Sequence, residues 1–370
     1  MGIDPGNSFQ YLNTYALSPG MVFGTGSEIE KAIGPPVVAN PSITWETQTS
    51  YNIGFDSKLF QDLISINFDY FYNRRDDILT PRDASVPGFT GLSLPQENIE
   101  RVDNKGIEVE AGVHKTVLSD LRLDLTGRFS WNRNKVVFYD EPERKVDWQV
   151  RTGHSFGAQL MYRAIGIFPD QPAVDAYPHW FGAKPGDVIF EDVSGDNKIN
   201  ADDKILLDFC DIPEITYSVS LNAGWKAFTL SVLLQGQGKL FVFDWMNYDV
   251  HGEGSNYFKW TYDNWWTPTN TNTTIARAFN RNDFYWAPYN NYSTYWWDNS
   301  AFCRLKNLIF AYNIPTRLIK SLGISKASFY FSGNNLALLY SAKKKYDPEL
   351  NVSADYPVMK TFAIGANVTF

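Results

Sequence analysis

The stretch YPVMKTFAIGANVTF, residues 356–370, alternates without a break from Thr361 onward. Phe362, Ile364, Ala366, Val368 and Phe370 fall on one side. Thr361, Ala363, Gly365, Asn367 and Thr369 fall on the other. Successive side chains of a strand point to opposite faces. The segment is therefore expected to be a strand with one apolar face and one small, polar face. It sets a large apolar ring at its last position, where strands of soluble domains more often carry polar residues.

The same period recurs upstream. LISINFDYFY (63–72) puts Ile64, Ile66, Phe68, Tyr70 and Tyr72 opposite Ser65, Asn67 and Asp69. GIEVEAGV (106–113), LRLDLTGRF (121–129) and ITYSVSLNAGW (215–225) alternate in the same way, each with a clean polar face. A soluble sandwich alternates too, its polar face in bulk water. The connections separate the two cases. FDSKLFQDL and HKTVLSD are short links, whereas about 80 residues separate 135 from 214 and about 65 separate 236 from 300. Short turns at one end and long loops at the other mark an outer-membrane barrel, and sandwiches rarely carry loops that long.

Composition agrees. Aromatic residues make up 16% of 370 residues, which suits a sugar-binding surface or the girdle of a membrane barrel. A net charge of −8 argues against a nucleic-acid-binding surface, which would be basic. No apolar run approaches the roughly 20 residues of a membrane helix. The four histidines are scattered, so no metal cluster is legible. Cys210 and Cys303 are expected as free thiols in strands, with a disulfide as the alternative. MGIDPGNSF lacks the features of a signal peptide. QGQGK (235–239) lacks the third glycine of a dinucleotide fingerprint. Carboxylate pairs such as Asp76 with Asp77 and Asp202 with Asp203 have no context for glycoside hydrolysis. No serine or cysteine nucleophile arrangement is visible, so an enzyme is not expected.

Two local motifs stand out. DVSGDNKINADD (192–203) has the spacing of an EF-hand-like calcium loop. Asp192, Ser194 and Asp196 stand at positions 1, 3 and 5, Lys198 offers its carbonyl at 7, Asn200 stands at 9 and Asp203 at 12. Asn197 replaces the usual glycine, and Asp203 is shorter than the usual glutamate. Any calcium there would be structural. Seven of the 12 tryptophans lie between 241 and 300, which reads as girdle and loop packing or as a sugar platform. The platform candidates are Trp286, Tyr289, Tyr292, Trp296 and Trp297.

In order along the chain, NPSITWETQTSYNIGFD (40–56), FDYFYNRRDDIL (68–79), VDNKGIEVE (102–110), DVSGDNKINADDKILLD (192–208), PEITYSVSLNAGWKAFTLSVLLQGQGK (213–239), DNWWTPTNTNT (263–273), FCRLKNLIFAYNIP (302–315), ASFYFSGNNLALL (327–339) and YDPEL (346–350) resemble the SusC/RagA-type TonB-dependent transporters. The resemblance covers nearly the whole chain. It implies an all-β, antiparallel transmembrane barrel with long extracellular loops. Residues 1–370 would be the C-terminal part, roughly half, of a 22-stranded barrel, lacking the N-terminal plug domain and signal peptide. About ten to twelve strands are expected. The resemblance makes Trp265 and Trp266, in the family's Trp-Thr-Pro loop, structural. It makes Phe362, Ile364, Ala366, Val368 and Phe370 a signal read by the barrel-assembly machinery.

The implied function is active import across the Gram-negative outer membrane of oligosaccharides or peptides. A SusD-like surface lipoprotein would cover the loops, and the TonB complex would act through the missing N-terminal region. The alternative is a secreted carbohydrate-binding β-sandwich or propeller. The two differ on whether the apolar rows meet lipid or a second protein layer.

Overall fold

A computed structural model describes residues 10–22, 29–37, 39–82, 95–117, 120–244, 258–278, 293–350, 356 and 358–370. Strands β1 (Thr14–Val22) and β2 (Ile29–Val37) pair with each other. Four long strands follow: β3 (Thr47–Leu59), β4 (Ile64–Pro81), β5 (Gln96–Val117) and β6 (Leu121–Phe138). The next connection carries the short strands β7 (Gln159–Met161), β8 (Ala164–Ile167), β9 (Val188–Phe190) and β10 (Ile205–Leu207). Then come β11 (Ile215–Trp225), β12 (Phe228–Gly238), short β13 (Phe241–Phe243) and β14 (Trp297–Asn299), β15 (Phe302–Asn313), β16 (Lys326–Ser341) and β17 (Thr361–Thr369). Among the described residues the helices are short, of four to six residues: α1 (Gln171–Ala176), α2 (Lys259–Asn264) and α3 (Thr316–Ile319). The last fills the segment 315–324, where Pro315 predicts a turn or two of helix, and continues as a 3-10 turn to Leu322.

Nine strands form one antiparallel sheet in the order β17-β16-β15-β12-β11-β6-β5-β4-β3. With the β1–β2 ladder this gives eleven strands of wall length among the described residues, within the expected number. The sheet is open, with β17 and β3 at its edges. Strand β5 has 22 residues, about twice the 9–11 a tilted strand needs to cross hydrocarbon. By contacts the chain divides into two compact units. One comprises Met1–Tyr51, Phe71–Lys105 and Arg133–Phe156, the other Asn52–Tyr70, Gly106–Asn132 and Gly157–Phe370.

In the first unit, neighbouring strands are tied by ion pairs. Arg74 donates to Asp103 at 3.0 Å, Arg82 lies 2.6 Å from Glu97, and Arg101 pairs with Asp76. In the second unit, register builds the apolar rows. Ala366, Phe329, Tyr312, Phe228, Trp225 and Leu121 are successive partners across six strands. The next row is Ile364, Phe331, Phe310, Leu230, Ala223 and Leu123. These rows carry no second layer among the described residues: Ile364 is 86% exposed and Trp225 51%. A sandwich would cover them. The aromatic row ending in Trp225 lies beside the short turns, where an interfacial girdle belongs.

The opposite face pairs Ser328 with Asn367, Tyr330 with Gly365, Ser332 with Ala363 and Asn334 with Thr361. Gly365 leaves room for the Tyr330 ring, which a Cβ there would approach to 2.4 Å and push aside. The end of β17 is pinned by Ser325, whose backbone N–H and hydroxyl both donate to the Thr369 carbonyl.

Turns at residues 60–63, 226–227 and 314–325 lie at one end of the sheet, and the long connections lie at the other. Among the described residues the main buried hydrophobic cluster sits in those long connections. Tyr162, Ile167, Val188, Phe190, Ile199, Phe243, Ala276 and Trp296 cluster together. Apolar side chains that meet lipid need no protein partner, whereas loops exposed to water must bury their own.

Candidate functional site

On the polar face, alternate residues of five strands surround a concavity of about 600 Å³. Its lining includes Asn67 and Asp69 on β4, Glu108 and Glu110 on β5, Arg128 on β6, Thr216 and Ser218 on β11, and Gln235 and Gln237 on β12. Arg128 donates to Glu110 at 2.6 Å. The remaining carboxylates and amides offer a hydrogen-bonding surface suited to a polar ligand or a polar protein surface.

A second group on the same face was not legible in the sequence. Ser65 Oγ lies 3.1 Å from His114 Nε2, and His114 Nδ1 lies 3.0 Å from Asp124 Oδ1. Gly112 makes this possible, since a Cβ there would sit 2.5 Å from Ser65 Oγ and 2.8 Å from His114 Nε2. The order serine–histidine–carboxylate is that of a hydrolase triad, but the surroundings are not. All three residues lie on paired strands, where ladder bonding uses the backbone N–H groups that would build an oxyanion hole. Asp124 is also drawn to Arg122 at 3.0 Å. The group is a polar chain that ties β4, β5 and β6 together near their short turns.

The Asp-rich loop is organised by its own hydrogen bonds. Asp192 accepts the N–H groups of Gly195 and Asn197 at 2.8 and 2.9 Å. Asn197 takes the left-handed conformation, φ 64°, that its position in such a loop requires. Asp196 accepts from the Lys198 N–H and the Asn200 amide. Asp203 is fully buried and accepts from the N–H groups of Ser194 and Asn200 at 3.0 and 2.7 Å, closing a capping box. Burial, then the Asp203 charge, pushes the nearby Tyr162 phenol well up. Among the described residues no group of three or more His, Cys, Asp or Glu side chains is gathered to hold a metal.

The aromatic candidates separate. Trp286, Tyr289 and Tyr292 lie outside the described residues. Trp296 is 1% exposed and belongs to the loop core, so its faces meet protein and leave no room for a sugar ring. The reading of Trp296 as a platform is therefore corrected: aromatic content showed that the segment is rich in rings, and burial showed which ring is core. Trp297 is half-buried against Phe209 and Phe243. Trp266 donates its indole N–H to the Pro169 carbonyl at 3.1 Å, in keeping with a structural part. Both cysteines are free; Cys303 lies in β15, but Cys210 lies between β10 and β11 and not in a strand.

The family described as TonB dependent receptor-like, beta-barrel matches residues 5–336. The chain is similar to TonB-dependent receptor P3 of Formosa agariphila, 29% identical over 365 residues, covering 90% of this chain and 35% of that protein. It is similar to TonB-dependent receptor SusC of Bacteroides thetaiotaomicron, 21% identical over 377 residues, covering 99% and 36%. It thus spans about a third of the length of these relatives. Among solved structures, the RagAB peptide importer in the open-open state shares its fold, with a TM-score of 0.72 at 20% identity, covering 100% of this chain and 39% of that one. The uncovered apolar rows, the polar inner face, the loop asymmetry and the matched residues agree: the chain belongs to the TonB-dependent receptor β-barrel family and is part of an outer-membrane barrel.

Proposed function

We propose that this chain is barrel wall of a transporter that imports oligosaccharides, or alternatively peptides, across the outer membrane. The observation that carries the reading is the two-faced single sheet, apolar and uncovered on one side, polar and concave on the other. Such a wall breaks no bond in its cargo; it binds and releases. In this reading a SusD-like lipoprotein closes over the long loops and the TonB complex supplies the energy. The assembly machinery reads Phe362, Ile364, Ala366, Val368 and Phe370. The name of SusC and the peptide importer RagAB support this class of function without choosing between sugar and peptide. A strain lacking the whole protein is expected to lose growth on its oligosaccharide and uptake of the labelled sugar, and disruption of TonB is expected to have the same effect. Unchanged uptake of both oligosaccharides and peptides in the deletion strain would overturn the reading.

The same reading includes a structural calcium. Asp192, Ser194, Asp196, Asn200 and the Lys198 carbonyl would hold it, while Asp203 shapes the loop from inside through backbone N–H groups. A ligand at 100 times its Kd stabilises the form that binds it by about 2.7 kcal/mol. Chelation is therefore expected to lower the melting temperature of the purified protein. No heat on calcium titration, together with an unchanged melting temperature, would remove the calcium.

A further inference from the structure

The aromatic row that ends in Trp225 has a counterpart at the other end of the apolar face. Phe129, Tyr217, Gly236, Cys303 and Tyr340 are successive partners across β6, β11, β12, β15 and β16. Gly236 brings no ring of its own but makes room for one, since a Cβ there would collide with the Tyr217 ring and the Phe302 carbonyl. The Tyr217 ring lies over β12, and its hydroxyl donates to the Phe302 carbonyl at 3.1 Å. An apolar ring with a satisfied polar tip suits the edge of a hydrocarbon layer. One row farther on, Trp131 pairs with Ile215.

Between the two aromatic rows the outward side chains are Val219, Leu221 and Ala223 on β11 and Leu230, Val232 and Leu234 on β12. None of these carries a charge or a hydrogen-bonding group. Lys306, at this height on β15, sits in a bulge and pairs with Glu349 at 3.3 Å. Charge returns directly beyond each row. Past the first, the Lys226 ammonium lies 5.2 Å from the centre of the Trp225 ring. Past the second, the Lys344 ammonium lies 5.8 Å from the centre of the Tyr340 ring, and Lys239 pairs with Glu214 at 3.3 Å. A lysine just outside an aromatic girdle lays its stem along the interface and holds its ammonium in water.

We propose that bilayer hydrocarbon meets this sheet only between the Trp225 row and the Tyr217 row, so that the wall is built for a thin membrane. The rows stand eight residues apart on β11, from Tyr217 to Trp225, and again on β12, from Phe228 to Gly236. At about 3.4 Å per residue and a strand tilt of about 40°, that spacing gives about 20 Å of height. An average bilayer has about 30 Å of hydrocarbon, and the bacterial outer membrane is thinner than average. The occupant of the face is lipid and not a second copy of the chain, because ring-and-lysine edges on both sides match two membrane surfaces, whereas a protein partner needs no such paired edges. The inference rests on the barrel assignment and on no cargo.

Nitroxide labels on the full-length protein, folded into phosphatidylcholine vesicles, test this. Val219→Cys, Leu221→Cys, Ala223→Cys, Lys226→Cys and Lys239→Cys are labelled one at a time, with Cys210→Ser and Cys303→Ser removing the native thiols. Collision with oxygen, which concentrates in hydrocarbon, is compared with collision with a water-soluble nickel chelate. Oxygen is expected to dominate at 219, 221 and 223, and nickel at 226 and 239. A maximum of oxygen access at either lysine position, or a flat profile, overturns the proposal. Poor access of both reagents at 219–223 overturns it too, because a second protein chain would then cover the face. A second readout needs no label: Leu221→Arg is expected to lower the folding equilibrium constant in vesicles by about 30-fold to about 1,000-fold, and Ile215→Arg by at most about fivefold. Equal losses overturn the proposal. These measurements locate the edges of the lipid-facing band without any cargo, so the import reading can fail while they succeed, and the reverse.

Discussion

Replacing Trp296 with alanine is expected to cost about 3–5 kcal/mol of stability in the long loops, the range for emptying a fully buried aromatic site. Trp296 is 1% exposed, and its ring meets Tyr295 edge-on at 5.0 Å. It shares its cluster with Tyr162, Phe190 and Phe243, drawn from three separate connections or strands. Removing it leaves a cavity that backbone tied to β13 and β14 has little freedom to close. Hydrogen exchange should show lost protection across β8, β9, β13 and β14, with the strands of the sheet unaffected. Were Trp296 a sugar platform instead, the variant would lose ligand affinity with loop protection unchanged.

Ile364→Arg is expected to prevent or weaken assembly into membranes. A cationic side chain on the lipid face of a barrel costs about 2–4 kcal/mol near the bilayer midplane. Ile364 is central in β17, faces Phe331 across the ladder and has no protein cover among the described residues. Ala363→Arg, one residue away, points to the polar face and is expected to assemble normally. Folding into lipid vesicles, followed by heat-modified gel mobility and denaturant titration, compares the two. Equal stability of the variants would show that the two faces are not lipid and water, and the barrel reading would fail.

The strands were legible because period-2 alternation is a local property with a face-to-face consequence. Residues 215–225 and 361–369 predict both the strand and its apolar side, and the register sets those sides in common rows. The loop asymmetry was legible from the spacing between alternating segments. The turns of the Asp-rich loop were readable because Asp192, Asn197 and Asp203 act over a few residues. Ser65, His114 and Asp124 were not readable together. They lie 49 and 10 residues apart and meet only because register aligns β4, β5 and β6 and Gly112 leaves room. Trp296 was misjudged because an aromatic-rich loop gives no period from which burial can be read.

The amino-acid sequence by itself determined that this protein is a wall of two-faced strands with turns at one end and long loops at the other. Alternation fixes which side is apolar, whatever the strands later touch. Tertiary structure decided how the loops use their side chains: which rings form the core, which charges pair across the loops, and which polar residues converge. Those outcomes depend on contacts between residues far apart in the chain, and no local pattern encodes them.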